Sequence, residues 1–466
     1  MNKLSLFLGP KSTSGRTSAV SLMAPEHIDA LARECGATLR MRKFQPSRYF
    51  LTSASCMCSS TEDAEFKLIN FHNAYNEGLP GHLKMTKKCI HKQIDSPESV
   101  RTARRLLGEL LGTCRCRRIR KTLGKCSPLE LRRLLEILGV DDIILVDGTE
   151  IDVTYRCIDN LDCKGKGRPH SDGRPARPGI KLHVAFSVLS QICVHAGITS
   201  AVGSEREWVL PNTFRNVLII ADRGYISEDL EDEIARSGNL YLIRGKSANA
   251  GTVEACYGSD GKRIERLEGK KLSEVDKGLD ADMDVVTKTG HKLRLIQSVN
   301  GTGKGEKLKF MRTNIPRSIL NICQMCMLYR LRWSIELYNK ANKSHNSLKA
   351  PNSGKENVIL FHVILSVIAS ILKSWCGIMA RKACGIQWMS LLKLHAQNTK
   401  FKELLLALAD KGKSTAYQNF KDLLPHLAEN CLRDPPSRRD AELLKDLPLL
   451  LQAIVSQGRA GNLNWA

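Results

Sequence analysis

Five strand-like apolar runs in the middle of the chain constrain its fold more than any other feature. Short runs rich in Val, Ile and Leu, bounded by polar residues and glycine, are typical of β-strands. A helical run that stops at Gly238 lies between the fourth and the fifth, which favours an α/β core. The runs occupy residues 141–155, 179–201 (two strands with a turn near Ser190), 216–225 and 240–245.

The regions on either side of this core are predicted to be mostly helical. Ser96 and Pro97 form a typical helix start, and Pro435 divides the C-terminal residues into two helical pieces. The runs rich in Gly, Lys and Asp before the C-terminal helices predict a small β-rich insertion. The expected regions are a basic, mostly helical one over 1–137, an α/β domain over 138–400 with the insertion at about 246–316, and a helical one over 401–466.

A strong positive charge indicates an anionic partner. The chain has 71 Lys and Arg against 48 Asp and Glu, a formal net charge of +23. Residues 1–140 hold 24 of the cations and 12 of the acids, so about half of the excess lies there. A solvated helix face is the alternative explanation, but clustered arginines favour contact with nucleic-acid phosphates. The cluster comprises Arg115, Arg117, Arg118 and Arg120.

No segment is predicted to span a membrane. The longest apolar stretch, Val358 to Leu372, contains His362 and is shorter than a bilayer requires, so it is interpreted as a buried core helix. The 16 cysteines lack the paired spacing of a zinc site. Scattered thiols of this kind are expected in a reducing cytoplasm.

Two aspartates, Asp147 and Asp222, each follow a short apolar strand and precede a glycine by one or two residues. Side chains at the ends of buried strands reach the surface at a defined place, where a site can form. Aspartate is also a common turn former, so either residue alone could be structural.

A third acid, Glu336, lies in a predicted helix over residues 329–348. At about 100° per residue, five polar residues share one face of about 80°, while Leu331 and Ile335 lie opposite. A surface stripe would explain the charged residues, but it would gain nothing from the aromatic rings of Tyr329 and Trp333. The five residues are Tyr329, Arg332, Glu336, Lys340 and Lys343.

Three carboxylates from separate segments suit a hard divalent cation. Mg²⁺ prefers oxygen ligands and bridges to phosphate oxygens, and two such ions can serve phosphoryl transfer. The cations beside the glutamate would then hold backbone phosphates, and the aromatic rings could stack on an unpaired base.

These residues resemble the DDE transposases of bacterial insertion sequences, specifically the group named after insertion sequence four. The signature of that group is Tyr, two residues, Arg, three residues, Glu, six residues, Lys, and this chain matches it without a gap. DGTEID and ADRGY resemble the first and second aspartate motifs of the group. The resemblance covers roughly residues 140–380 and implies an α/β, ribonuclease-H-like mixed-sheet core with a β-rich insertion before the glutamate.

The resemblance also implies roles for individual residues. Asp147, Asp222 and Glu336 would be catalytic and would bind two Mg²⁺ or Mn²⁺ ions. Trp333 lies where similar enzymes handle a flipped base, although it could instead pack in the core. Phosphate contacts would come from Tyr329, Arg332, Lys340 and Lys343.

The implied function is cut-and-paste transposition. Such an enzyme binds the terminal inverted repeats of its element, cleaves the DNA ends, in some relatives through a hairpin, and transfers the 3′-hydroxyls into target DNA. It is expected to act as a homodimer in the bacterial cytoplasm, at the nucleoid. Two alternatives stay open: a nuclease of the same fold that lacks strand transfer, and a non-catalytic DNA-binding relative.

Overall fold

The predicted strands join one mixed sheet. The structure is a computed structural model, and ten strands of its described residues form the sheet, in the spatial order β1-β4-β3-β2-β5-β6-β10-β9-β8-β7. The strands are β1 (Leu6–Leu8), β2 (Asp142–Asp152), β3 (Gly179–Ser187), β4 (Ile192–Ser200), β5 (Val217–Ala221), β6 (Leu240–Arg244), β7 (Thr252–Gly258), β8 (Ala281–Val286), β9 (Lys292–Ser298) and β10 (Lys309–Thr313). The residues described are 6–8, 19–38, 43–59, 68–116, 127–157, 173, 176–208, 211–245, 251–299, 309–410, 412–438 and 446–457.

The centre of the sheet has the arrangement expected of a ribonuclease-H-like core. Strands β2, β3 and β4 form an antiparallel meander, whereas β5 runs parallel to β2 and β6 parallel to β5. The turn between β3 and β4 is tight, with Gln191 at a φ of 57°. The predicted α/β fold class is therefore confirmed.

Strand β2 is longer than the apolar run suggested. The apolar part of the predicted run over residues 141–155 ends at Asp147, but the strand continues to Asp152 because β3 pairs with it from Ile144 to Asp152. Its parallel partner β5 pairs only as far as Leu145. Asp147 therefore lies inside a strand, just beyond the point where the neighbour on one side stops.

The β-rich segment before the signature helix extends the same sheet. Strand β10 pairs antiparallel with β6 and carries β9, β8 and β7 outward, with a small apolar core of their own around Met283 and Leu295. A buried ion pair joins this part to helix residues outside it, since Arg312 Nε donates to Glu231 Oε1 at 2.7 Å. A second buried pair lies within it, where Arg294 Nη2 donates to Asp282 Oδ2 at 2.7 Å.

Helices surround the sheet at both ends of the chain. Ser96 caps its helix as predicted, since its hydroxyl accepts from the backbone N–H of Ser99. The helices are α1 (Ala19–Leu22), α2 (Pro25–Glu34), α3 (Pro46–Met57), α4 (Leu68–Asn76), α5 (Lys87–Ile94), α6 (Pro97–Cys114), α7 (Leu129–Leu138), α8 (Glu228–Arg236), α9 (Ile322–Tyr329), α10 (Trp333–His345), α11 (Glu356–Cys384), α12 (Leu391–Ala396), α13 (Asn398–Asp410), α14 (Gly412–Asn430) and α15 (Leu447–Gln457).

Helix α11 is long and apolar enough to cross a membrane by length and composition. Its most apolar 18-residue window is 94% buried inside the fold, however. Burial of this kind is what the core helix of a globular domain shows, so the interpretation of Val358 to Leu372 as part of a core helix is confirmed.

The signature helix is not continuous. Helix α9 ends at Tyr329, a 3₁₀ turn covers Arg330–Arg332, and α10 starts at Trp333. Because a 3₁₀ helix advances about 120° per residue rather than 100°, the angles expected for one α-helix fail across this turn. The predicted apolar face still holds, since Leu331, Ile335 and Tyr338 are all buried.

Candidate active site

The parallel pairing of β2 with β5 brings the two aspartates to the same end of this strand pair. Leu145 lies opposite Ile220, and the same register carried two residues further sets Asp147 beside Asp222. Neighbouring strands lie about 4.8 Å apart, and residues two apart on a strand point to the same face. The two carboxylates are accordingly neighbours, and the charge of Asp222 raises the pKa of Asp147.

The turn after β5 holds Asp222 in place. Its Oδ1 accepts a hydrogen bond from the backbone N–H of Gly224 at 2.8 Å. A Cβ at position 224 would overlap Glu205 Oε2 and lie 3.0 Å from Asp222 Oδ1, so a larger residue would displace the Glu205 carboxylate. Glu205 is held in turn by the buried Lys181, whose Nζ donates to Glu205 Oε1 at 2.8 Å.

Helix α10 brings the third acid to the aspartates. The helix packs on the sheet through Tyr338, whose ring centroid is 5.0 Å from that of Phe186. One residue further, Asn339 Nδ2 donates a hydrogen bond to Asp147 Oδ2 at 3.1 Å. Glu336 lies three residues before Asn339 on the same helix, and side chains with that spacing are neighbours on a helix surface.

Burial and charge together raise the pKa of Asp147 to about 6. Burial is the largest cause, and the positive charge of Arg332 opposes it. The negative charges of Asp222 and Glu336 raise the pKa further, while a hydrogen bond from the Gly148 backbone N–H lowers it. Both other acids thus act electrostatically on Asp147, as expected for three converging carboxylates.

Glu336 forms an ion pair with Arg332. Among the residues that the structure describes, no three acidic, His or Cys side chains come close enough together to hold a metal ion as they stand. The chemistry of the donors nevertheless fits a hard divalent cation, because all of them are oxygens. A cation would also relieve the repulsion that raises the pKa of Asp147.

A cavity of about 780 Å³ opens beside Arg332. Trp333 lines it and is 60% exposed, so the alternative that this ring packs in the core is wrong. Tyr329 also lines the cavity; burial raises the pKa of its hydroxyl, and the charges of Arg332 and Arg244 lower it. Further cations of the lining are Arg244, Lys309, Arg330 and Arg433.

The remaining predicted DNA contacts are spread over the molecule. Lys340 and Lys343 are exposed on α10. Arg115 is half-buried after α6, where its Nη1 donates to the Val194 carbonyl at 3.2 Å and lies 3.2 Å from His195 Nδ1. Its contact with DNA stays a prediction, and the contacts of its side chain with Val194 and His195 do not favour it. Arg117, Arg118 and Arg120 lie outside the described residues.

Two side chains at the site escaped sequence reasoning. Asn339 is uncharged and sits among residues that look like one side of a packed helix, so only its spacing from Glu336 could have revealed it. Tyr225 is the last residue of the second aspartate motif, but the motif alone assigned it no role. Burial raises the pKa of its hydroxyl, and the charges of Glu205, Asp147 and Asp222 raise it further.

Comparisons with known proteins identify the family to which this chain belongs. Among proteins of curated function, none matches this sequence. A solved structure, a piggyBac transposase synaptic complex with hairpin DNA, is similar over 91% of this chain and 85% of its own, with 12% identical residues and a TM-score of 0.43. The sequence profile of the transposase DDE domain matches residues 138–372, about half of the chain. With its two level aspartates and a third acid on the adjoining helix, this chain belongs to the family of DDE-domain transposases.

Proposed function

We propose that this transposase is of the insertion-sequence-four type and performs cut-and-paste transposition. It would bind the terminal inverted repeats of its element, cleave the DNA ends and join the freed 3′-hydroxyls to target DNA. The observation that carries the proposal is that the charges of Asp222 and Glu336 both act on the buried carboxyl of Asp147. The signature Tyr329, Arg332, Glu336 and Lys343 supports the finer assignment.

The three carboxylates would hold two Mg²⁺ or Mn²⁺ ions. Such ions lower the pKa of an attacking water and stabilise the leaving 3′-oxygen. Asp147 and Asp222 each lie two residues beyond the last pair that joins β2 to β5, which supports their acting together. Glu336 is engaged with Arg332 through one carboxylate oxygen, and release from this partner would free both oxygens for the metal site.

A DNA phosphate would release Glu336. Arg332 lines the basic cavity, and a guanidinium binds phosphate through two parallel hydrogen bonds, as it binds a carboxylate. A phosphate that takes over Arg332 frees Glu336 for the metal site. The exposed ring of Trp333 would stack on an unpaired base next to it, and Lys340 and Lys343 would hold the neighbouring backbone.

The remaining assignments follow from two DNA ends being processed together. The protein would work as a homodimer on double-stranded DNA in the bacterial cytoplasm, at the nucleoid. The basic region over residues 1–137 would bind the terminal repeats; it holds a large share of the positive charge.

The experiment uses the full chain, Mg²⁺ and a duplex that carries the element end found beside the coding region. Asp147→Ala, Asp222→Ala and Glu336→Ala should each lower the cleavage rate by about 10³-fold or more, since the lost interactions supply several kcal/mol to the transition state. Glu150→Ala, an exposed acid on the same strand, is the matched control and should cleave like the unaltered protein.

Cleavage that survives any one of the three changes would remove that residue from the metal site. A pre-cleaved end with a free 3′-hydroxyl then separates a transposase from a nuclease, because only the transposase joins this end to a target plasmid. Absence of any joined product would refute transposition. Absence of both cleavage and joining would leave a DNA-binding relative.

A further inference from the structure

Asn339 is a buried polar residue at the site to which no catalytic role has been given above. It is 7% exposed, and its Nδ2 donates to Asp147 Oδ2 at 3.1 Å. The opposite orientation of the amide would place two acceptor oxygens against each other, so the carboxylate fixes which way the amide points. The hydrogen bond to Asp147 Oδ2 is therefore made by Nδ2 and leaves Asn339 Oδ1 unengaged by this carboxylate.

Asn339 Oδ1 is buried and has no hydrogen-bond partner within the described part of the chain. The Tyr225 hydroxyl is a second buried atom without a hydrogen-bond partner among the described residues. It lies near the same carboxylates, since the charges of Asp147 and Asp222 raise its pKa in addition to burial. Unsatisfied buried polar atoms are costly and rare in folded proteins, and they commonly mark the place of an ion or an ordered water.

We propose that Asn339 Oδ1 is an additional oxygen ligand of the divalent cation held by Asp147. This inference rests on the metal-dependent function proposed above. An amide oxygen is a hard ligand of the type that Mg²⁺ and Mn²⁺ accept, and being neutral it adds no repulsion beside Asp147. Its distance of three residues from Glu336 lets one helix present two oxygen ligands to the same ion.

The competing explanation is that Asn339 only positions Asp147 through its Nδ2. The two roles differ in one respect: only a ligand brings its own atom into contact with the ion. A cysteine at this position separates them, since a thiolate in contact with a metal prefers Cd²⁺ to Mg²⁺ and gives a sulfur-to-cadmium charge-transfer absorption. A positioning residue gives no such band.

The test uses the full chain without DNA. Asn339→Ala should raise the dissociation constant for Mn²⁺ about tenfold by calorimetry, and Asn339→Cys should add a Cd²⁺ absorption band to that of the unaltered protein. Asn342→Ala and Asn342→Cys are the matched controls. Asn342 is a buried asparagine on the same helix, and its Oδ1 already accepts a hydrogen bond from Asn346 Nδ2. Circular dichroism and melting in EDTA check that each variant is folded.

Unchanged Mn²⁺ binding in Asn339→Ala together with no added band in Asn339→Cys would overturn the inference, while cleavage by the unaltered protein in Mg²⁺ would keep the proposed function. If the unaltered protein neither binds Mn²⁺ nor cleaves, the proposed function and the inference fail together. Should the alanine variant not fold, the cysteine variant alone decides: a band supports the ligand and its absence refutes it.

Discussion

Replacing Asp147 by asparagine should stabilise the metal-free protein at neutral pH while abolishing cleavage. In the folded chain, burial and then the negative charges of Asp222 and Glu336 raise the pKa of this carboxyl from 3.8 to about 6, although the positive charge of Arg332 opposes the shift. One pH unit of such a difference corresponds to about 1.4 kcal/mol, so keeping the carboxylate ionised in the fold costs at most about 3 kcal/mol. The amide introduced by the substitution is neutral, and its carbonyl oxygen can still accept from Asn339 Nδ2.

The pH dependence follows from the direction of this pKa difference. Because the pKa of Asp147 is higher in the folded chain, the folded state binds more protons between about pH 4 and pH 6. The free energy of unfolding therefore falls as the pH rises through this window, and the loss persists above pH 6. The advantage of Asp147→Asn should be about 3 kcal/mol at pH 7.5 and about 1 kcal/mol at pH 4.5.

Urea unfolding in EDTA, followed by circular dichroism at both pH values, measures this advantage. Asp152→Asn is the control: Asp152 ends the same strand, its side chain is 57% exposed beside Arg177, and its replacement should change little at either pH. An Asp147→Asn variant that is no more stable than the unaltered protein at pH 7.5, or whose advantage is equal at pH 4.5, would refute the reasoning.

Three further predictions concern other parts of the site and its support. Gly224→Ala should lower the cleavage rate at least about tenfold, because the new Cβ would overlap Glu205 Oε2; a rate within twofold of the unaltered protein would contradict this. Trp333→Ala should change the free energy of unfolding by less than about 0.5 kcal/mol but weaken binding of an end with an unpaired base by about 1–3 kcal/mol, measured by fluorescence anisotropy. Equal weakening for a fully paired duplex would argue against stacking. Glu231→Gln leaves the buried Arg312 without its charged partner and should lower the free energy of unfolding by about 3–5 kcal/mol in urea titrations; a loss below about 1 kcal/mol would show that the pair is not needed.

The elements that converge at the site could be predicted because each has a local signal. Short apolar runs marked β2 and β5, and an aspartate at the end of each apolar run marked where side chains would emerge. What local patterns could not supply was the length of β2, since its last residues are held by β3 from across the sheet. Periodicity detects the residues of a strand but not which neighbour extends it.

The polar face of the predicted helix over residues 329–348 shows a different limit of prediction from sequence. Counting residues at one angle per step assumes an unbroken α-helix, and nothing in the residue types at Arg330–Arg332 signals the 3₁₀ turn found there. The apolar side was predicted correctly because burial tolerates the extra rotation, whereas the exposure of Trp333 was left undecided. Asn339 was missed for a related reason: a neutral amide has no charge pattern, and its hydrogen bond to Asp147 exists only in the folded chain.

The ion pair between Arg332 and Glu336 sets the charge balance of the site in the protein without metal or DNA. Three half-buried carboxylates without a counterion would repel one another. Burial is the main cause of the raised pKa of Asp147, and the charges of Asp222 and Glu336 add to it, while the charge of Arg332 lowers it. Arg332, one helical turn before Glu336, thus supplies in the free chain the positive charge that a divalent cation would supply in the working site. Since the same guanidinium lines the basic cavity, a phosphate that binds there withdraws this charge from the carboxylates. Binding of DNA and binding of metal are then expected to favour each other by the same free energy, because coupling between two binding events is reciprocal.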